Sequence, residues 1–391
     1  MKRIAFFVQW MLCGGVENTL ITLSEELIKR GKSVTIYVIT DKGEFINKIP
    51  DNVLLKKIPM NEKIRKNIPV GGTKVSIREC IERKRYLHAT KFFITHFIGK
   101  TEFAELNINF NKIPKLNEKY DIAVNYHMHS PFLVRYLAEK VEAKIKYTWI
   151  HNDFVTTGYN IVNLKKYLEC VDNFFAVAEN LADEFKKQLP EYSKKTQVAL
   201  NMIPVEKILD KSKEFYPKEF QTVSQLKILT VGCLEERKGY DIAIEVCERL
   251  AKEGFKFQWF VLGDGSEKKT LYEELRRREV QEYFHFLGTR MNPYPYFCHC
   301  DIYVQTSRHE GYVTTVSEAK IFNKPILTTD VSGAREQLEN RKNGSIASIS
   351  VDSVYENLKE IITSETIRNK YTLELQKEEK VSDTKWITFF E

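Results

Sequence analysis

"DIYVQTSRHEGYVTTVSEAKIFNKPILTTD", residues 301–330, runs from a short apolar stretch through a polar loop and a helix-length segment to a second apolar stretch. "DIYVQTS" (301–307) and "KPILTTD" (324–330) read as strands, with a helix over about 314–323 between them. Continuously apolar strands separated by helices belong to parallel sheets covered on both faces. The same unit recurs along the chain. "LKILTVG" (226–232), "FQWFVLG" (257–263) and "YFHFLGT" (283–289) are further strands, and 239–253, 266–280 and about 333–340 further helices. In the first half the strands are "RIAFFVQW" (3–10), "SVTIYVIT" (33–40), "DIAVNYH" (121–127), "KIKYTWIH" (144–151), "NFFAVA" (173–178) and "TQVALNM" (196–202). Amphipathic segments such as 16–30 and 180–188 lie between them. The polar stretch Asn201–Tyr216, with Pro204 and Pro217, interrupts the alternation. The expected fold is α/β: two doubly wound domains, 1–204 and 205–374, with a C-terminal helix at about 375–391 packing back on the first. Two such domains facing across a cleft would offer the carboxyl ends of their strands to a ligand.

The chain's 391 residues suffice for two domains of ordinary size. At 43% hydrophobic and 29% charged residues the composition is that of a soluble globular protein. No apolar run approaches the ~18 residues that span a bilayer. "MKRIAFFVQWMLCGGVEN" resembles a signal peptide at its start but lacks a small-residue cleavage site, and is read as a first strand. Seven cysteines (Cys13, Cys80, Cys170, Cys233, Cys247, Cys298 and Cys300) form no CxxC and suit a reduced compartment. Cys298-His299-Cys300 matches no common zinc spacing and reads as a packed helix end. Net charge is +7, and 61–100 alone holds ten Lys/Arg against three Glu. With Tyr86, Phe92, Phe93 and Phe97 in it, that stretch fits either a solvated helix face or a surface for anionic membrane or nucleic acid.

Glu310 and Gly311 fall in the loop after strand 301–307, and Glu318 about a turn inside the next helix. The backbone N–H groups of Tyr312, Val313, Thr314 and Thr315 would be free at the helix start and able to hold phosphate. Carboxylates accept well from vicinal hydroxyls, so Glu310 and Glu318 suit a sugar on one side of a phosphate and a ribose on the other. Either glutamate alone is equally read as complementing the helix dipole. In "GCLEERKGYD" (232–241), Arg237 and Lys238 stand where a strand yields to a helix, an unfavourable place for cations unless a multiply charged anion such as a diphosphate binds there. Both side chains could instead point to solvent. Gly14-Gly15 follows the first strand and suits close approach of an anion, or a tight turn; it is not GxGxxG.

Taken in order, "VGCLEERKGYD", "LGDGSEKKTL", "FHFLGTRMNPYPYF", "HEGYVTTVSEA" and "KPILTTDVSGARE" resemble the donor domain of family 4 glycosyltransferases, retaining enzymes of the GT-B fold with two facing Rossmann-like domains. The resemblance covers about 226–346, and more weakly "GGVEN" (14–18), "WIHND" (149–153) and "AVAENLADEF" (176–185). It implies that Glu318 binds the donor ribose and Glu310 the donor sugar, and that Lys238, with Arg237, binds the diphosphate. Gly15 would let the N-terminal loop close over the phosphates, and Gly265, Gly311, Tyr312, Val313 and Thr314 would line the donor site. His129, second histidine of "YHMHSP" (126–131), matches the one near the reacting sugar, with His127 and His151 in reserve. One departure stands out: the family usually has Arg where this chain has Cys233.

The resemblance implies a retaining hexosyltransferase that uses a nucleotide diphosphate sugar, UDP favoured, without metal or other cofactor. The acceptor would be a glycan, lipid-linked, in capsular or other surface polysaccharide biosynthesis. The expected location is cytoplasmic, peripheral on the inner face of the membrane through 61–100. A nucleotide-sugar epimerase of the same fold and a non-catalytic partner subunit are the alternatives.

Overall fold

The apolar run after Lys2 becomes strand β1 (Arg3–Val8), buried on both sides from Ile4 to Val8. The computed structural model describes residues 1–12, 14–66, 68, 110–154, 161–379 and 384–391. Cys13, Cys80 and the aromatic and basic residues from Arg83 to Phe97 lie outside the described residues, and with them most of the 61–100 reading. The chain divides into two units: Met1–Val177 with Leu181–Ala199 and Thr384–Glu391, and Ala178–Asn180 with Leu200–Asp383.

The first unit holds β1, β2 (Ser33–Val38), β3 (Leu54–Lys57), β4 (Lys119–Asn125), β5 (Glu142–Ile150), β6 (Asn173–Ala176) and β7 (Thr196–Val198). They form one parallel sheet in the order β3-β2-β1-β4-β5-β6-β7. The order reverses between β1 and β4, which opens a crevice at their carboxyl ends. The return of the chain is later than 375. Leu375 and Tyr371, on helix Glu365–Gln376, are buried in the cores of the second unit. Only Thr384–Glu391 joins the first unit, where Trp386 and Phe390 pack on Trp149 and the Tyr147 hydroxyl donates to the Phe389 carbonyl at 2.9 Å. The earlier crossing falls at Ala199/Leu200 rather than 204/205, because Ile203 already packs against the second unit's core.

The second unit holds β8 (Leu226–Val231), β9 (Phe257–Leu262), β10 (Phe284–Phe286), β11 (Ile302–Gln305), β12 (Ile326–Thr329) and β13 (Ser345–Ala347). All neighbours are parallel, in the order β10-β9-β8-β11-β12-β13. Side chains alternate between two cores. Ile228, Trp259, Val261, Ile302 and Val304 enter one; Leu229, Phe260, Leu262, Tyr303 and Ile326 enter the other. This is why the strands read as unbroken apolar runs: each face is covered by helices. Helix Tyr240–Lys252 buries Tyr240, Ala243, Ile244, Cys247 and Leu250, the spacing of one helical face, over the first of these cores. Burial of each large side chain contributes roughly 1.5–3 kcal/mol. The switch point of this sheet lies between β8 and β11.

Candidate active site

Two loops leave the β8/β11 switch point side by side. The first runs from Gly232 to a 3-10 turn, Glu236–Lys238, and Gly239 then starts helix Tyr240–Lys252. Gly239 has φ 63°, and a Cβ there would lie 2.1 Å from the Thr306 carbonyl oxygen, so only glycine fits. The second loop, Thr306–Val313, is tied to the first. The Arg308 N–H donates to the Arg237 carbonyl at 2.7 Å, and the Thr306 hydroxyl to the Lys238 carbonyl at 3.1 Å. Arg308 also forms a two-pronged pair with Asp241, at 2.7 and 2.6 Å. These ties bring Lys238 and Glu310 together, 72 residues apart in sequence, as a nearly buried ion pair. The Ser307 hydroxyl donates to the same carboxylate at 2.7 Å, and Arg237 Nη1 lies 3.4 Å from its other oxygen. Burial alone would raise the Glu310 pKa. Lys238 and Arg237 outweigh it, with hydrogen bonds from Lys238 and Ser307, and hold the carboxyl below its usual range.

Arg237 does not simply point to solvent. Its Nη2 donates to the Cys233 sulfur at 3.2 Å and its Nε to Glu235 at 2.7 Å. The guanidinium thus lies over Cys233, the position where the resemblance implies an arginine. Burial pushes the Cys233 thiol up, against the pull of Arg237 and Lys238, which leaves it protonated at neutral pH.

Helix Thr314–Ile321 starts beside this pair without a side-chain cap. The N–H groups of Gly311, Tyr312, Thr314 and Thr315 have no partner among the described residues. Val313 differs from expectation. With the Gln337 amide oriented to satisfy both contacts, its nitrogen donates to the Val313 carbonyl at 2.9 Å and its oxygen accepts from the Val313 N–H at 3.0 Å. The Val313 N–H is therefore engaged internally, and the phosphate-ready donors flank it. Gly311 and Tyr312 pack under Gly333, whose φ is 74° and where a Cβ would meet the Gly311 carbonyl at 2.8 Å. Glu318 is nearly buried a turn inside the helix and accepts from the Tyr294 hydroxyl at 3.3 Å. Gly265 packs on the first loop: a Cβ would lie 2.4 Å from the Leu234 carbonyl, and its own N–H is bonded to Asp264 at 2.8 Å. In the second unit, then, Arg237, Lys238, Glu310, Gly311, Tyr312 and Thr314 gather at one edge, with Gly265 behind the Cys233–Leu234 backbone.

The first unit has its own cluster at the β1/β4 switch point. Gly15 begins helix Gly15–Lys29, with Gly14 at its cap. His127 Nδ1 accepts from the Gln9 N–H at 3.2 Å, which puts the imidazole proton on Nε2, 3.7 Å from the Glu17 carboxylate. His129 stacks on Phe154 with ring centroids 4.7 Å apart. Burial holds its pKa down to about 4, against an opposing pull from Asp153. Burial, with His129, holds His127 down to about 4 as well. Burial, with His127 and His129 beside it, holds His151 well below the usual imidazole range, and its Nε2 has no partner among the described residues. All three are neutral imidazoles at pH 7, suited to hydrogen-bonding hydroxyls. Cys300, by contrast, sits buried just past helix Tyr294–His299, where its thiol donates to the Phe297 carbonyl at 3.4 Å. Among the described residues no three His, Cys, Asp or Glu side chains are grouped to hold a metal.

Several residues at this edge carried no signal by themselves. Gln337 sits on a different helix from the segment it clamps. Ser307, Gln305 and Tyr303 form a buried row behind Glu310, with a visible trace only in the alternating polar positions of "DIYVQTS".

The two parallel sheets, each with helices on both faces, match solved structures of the GT-B glycosyltransferase fold. Residues 212–377 match the family of glycosyl transferases group 1. The chain is 25% identical over 236 residues to an uncharacterized glycosyltransferase of Methanocaldococcus jannaschii, covering 56% of this chain and 58% of that one. It is 30% identical over 162 residues to the O-antigen biosynthesis glycosyltransferase WclY of Escherichia coli, covering 41% and 44%. The chain thus spans about half the length of these relatives. Anabaena HepE in complex with UDP-glucose shares the fold with a TM-score of 0.69, at 15% identity, over 96% of this chain and 94% of that one.

Proposed function

We propose that the protein is a retaining hexosyltransferase that moves a sugar from a nucleotide diphosphate sugar, UDP favoured, to a glycan acceptor of a surface polysaccharide. One observation carries the reading: the Lys238–Glu310 pair at the β8/β11 switch point, beside the N–H groups of Gly311, Tyr312, Thr314 and Thr315, which have no partner among the described residues. A diphosphate would take Lys238, Arg237 and those N–H groups as partners. The sugar would then take hydrogen bonds from its hydroxyls to Glu310, and the ribose to Glu318. The acceptor hydroxyl would attack the anomeric carbon from the face the diphosphate leaves. The carbon–phosphate-oxygen bond breaks, and the acceptor's proton passes to the departing diphosphate. The developing charge is met by side chains and backbone dipoles already in position, so no metal is required in this scheme. HepE binds UDP-glucose, which supports UDP as the first nucleotide to try.

In the first unit, the neutral His129 is proposed to hydrogen-bond sugar hydroxyls and the helix start at Gly15 to suit an anion. The net charge of 61–100 supports docking on anionic lipid, which would bring a lipid-linked acceptor to the enzyme. Incubation with UDP-sugars and a glycolipid extract, read by product NMR, tests the chemistry. An inverted anomeric centre would overturn retention. Liposome flotation tests docking: unchanged, salt-insensitive binding after reversing Arg83, Lys84 and Arg85 would remove it.

A further inference from the structure

Strand β11 has one apolar and one polar face. Ile302 and Val304 enter the core under helix Tyr240–Lys252. On the opposite side stand Tyr303, Gln305 and, just past the strand, Ser307, all nearly or fully buried. The Tyr303 hydroxyl donates to Gln305 Oε1 at 2.7 Å, Gln305 Nε2 donates to Ser307 Oγ at 2.6 Å, and the Ser307 hydroxyl donates to Glu310 Oε1 at 2.7 Å. The Thr315 hydroxyl adds a weaker bond to Gln305 Oε1 at 3.4 Å. The chain has a direction. Tyr303 turns the Gln305 carbonyl toward itself, so the amide NH2 must face Ser307. With its oxygen accepting from Gln305, Ser307 has its proton left for Glu310. A polar row in a sheet core is costly unless every member is bonded, and this one is bonded end to end.

We propose that Gln305, backed by Tyr303, is a positioning residue: it fixes Ser307 as a hydrogen donor and so holds the Glu310 carboxylate in place for the donor sugar. The inference rests on the reading of Glu310 as the sugar contact. Lys238 and Arg237 also hold that carboxylate. A bound diphosphate would draw both cations toward itself and leave Ser307 as the partner that keeps Glu310 aimed. The row should therefore matter for the sugar and not for the nucleotide.

The test is calorimetric titration of the full chain with UDP and with UDP-glucose, for the unmodified protein and for Gln305→Met, Ser307→Ala, Ser307→Thr and Glu310→Gln. Gln305→Met keeps the volume and deletes the relay; Ser307→Ala deletes the final donor with little change in size. Both are expected to weaken UDP-glucose about ten-fold, the order of one hydrogen bond to a charged group. Both should leave UDP unchanged, and Ser307→Thr, which keeps the hydroxyl, should behave as the unmodified protein. Equal weakening of UDP and UDP-glucose overturns the positioning role. If Glu310→Gln weakens UDP-glucose but Gln305→Met and Ser307→Ala do not, the relay is wrong and the donor site stands. If Glu310→Gln has no effect either, the donor-site reading fails and takes the relay with it.

Discussion

Replacing Lys238 with methionine would leave the Glu310 carboxylate in a nearly buried site without its main partner. Breaking a buried pair by removing one member costs about 3–5 kcal/mol. The lower end applies here, because Ser307 at 2.7 Å and Arg237 at 3.4 Å still face the carboxylate. A loss of about 3 kcal/mol in a unit of this size lowers the unfolding midpoint by roughly 6–12 °C. The penalty should depend on pH. In the unmodified protein the Glu310 pKa is depressed, so its contribution is present above the unfolded carboxyl pKa and fades as pH falls through the folded value. In Lys238→Met the burial that opposes ionisation is no longer outweighed. The folded pKa rises, and the variant gains relative stability as Glu310 protonates. The gap between the two proteins should thus be widest near pH 7.5 and shrink toward pH 5. Calorimetric scans at both pH values read it, with Lys238→Met/Glu310→Gln expected to recover most of the loss. A midpoint unchanged by Lys238→Met, or a gap that is the same at both pH values, would mean that Lys238 does not hold Glu310 ionised in the folded protein.

Gly239→Ala should cost on the order of 1–3 kcal/mol, because it strains a positive φ and drives a Cβ into the Thr306 carbonyl; thermal unfolding and nucleotide affinity should both fall. Gln337→Leu should free the Val313 backbone from two bonds, at about 1 kcal/mol each. Hydrogen exchange at the Val313 amide should accelerate while that of the β12 strand stays protected. His127 and His129, held near pKa 4, bind fewer protons folded than unfolded between about pH 4 and 6.5. Each should therefore remove up to about 1.4 kcal/mol of stability per pH unit as pH falls through that window. Proton NMR of the two imidazoles should show no titration between pH 6 and 8. The Cys233 thiol should be alkylated at pH 7.4 more slowly than a free cysteine, with a rate that climbs as pH rises.

The strands were legible because both sheets are covered on both faces, so their sequences are continuously apolar and cannot be confused with one-sided strands. β3 (LLKK, half-exposed) and β13 (SIA, three residues) are edge strands, too short and too mixed to carry a period. The strand at 283–289 shrank to Phe284–Phe286 because Gly288, at φ 73°, turns the chain away after Leu287. At the site, the sequence placed Lys238 and Glu310 at carboxyl edges, since each follows a strand and precedes a helix. That they pair was not legible: it depends on the adjacency of β8 and β11, which residue order along the chain does not encode. Gln337 reaches Val313 from the other side of β12, so no local pattern announces it. Cys233 read as the loss of a cation; the structure shows Arg237, four residues on, folded back onto its sulfur.

The most direct measurement is a calorimetric screen of UDP, GDP, ADP and their glucose conjugates against the full chain and Glu318→Ala. One nucleotide should bind selectively and the variant should lose it, since Glu318 would hold the ribose. Binding of none, or binding that Glu318→Ala leaves intact, would contradict a nucleotide-sugar site at the β8/β11 switch point.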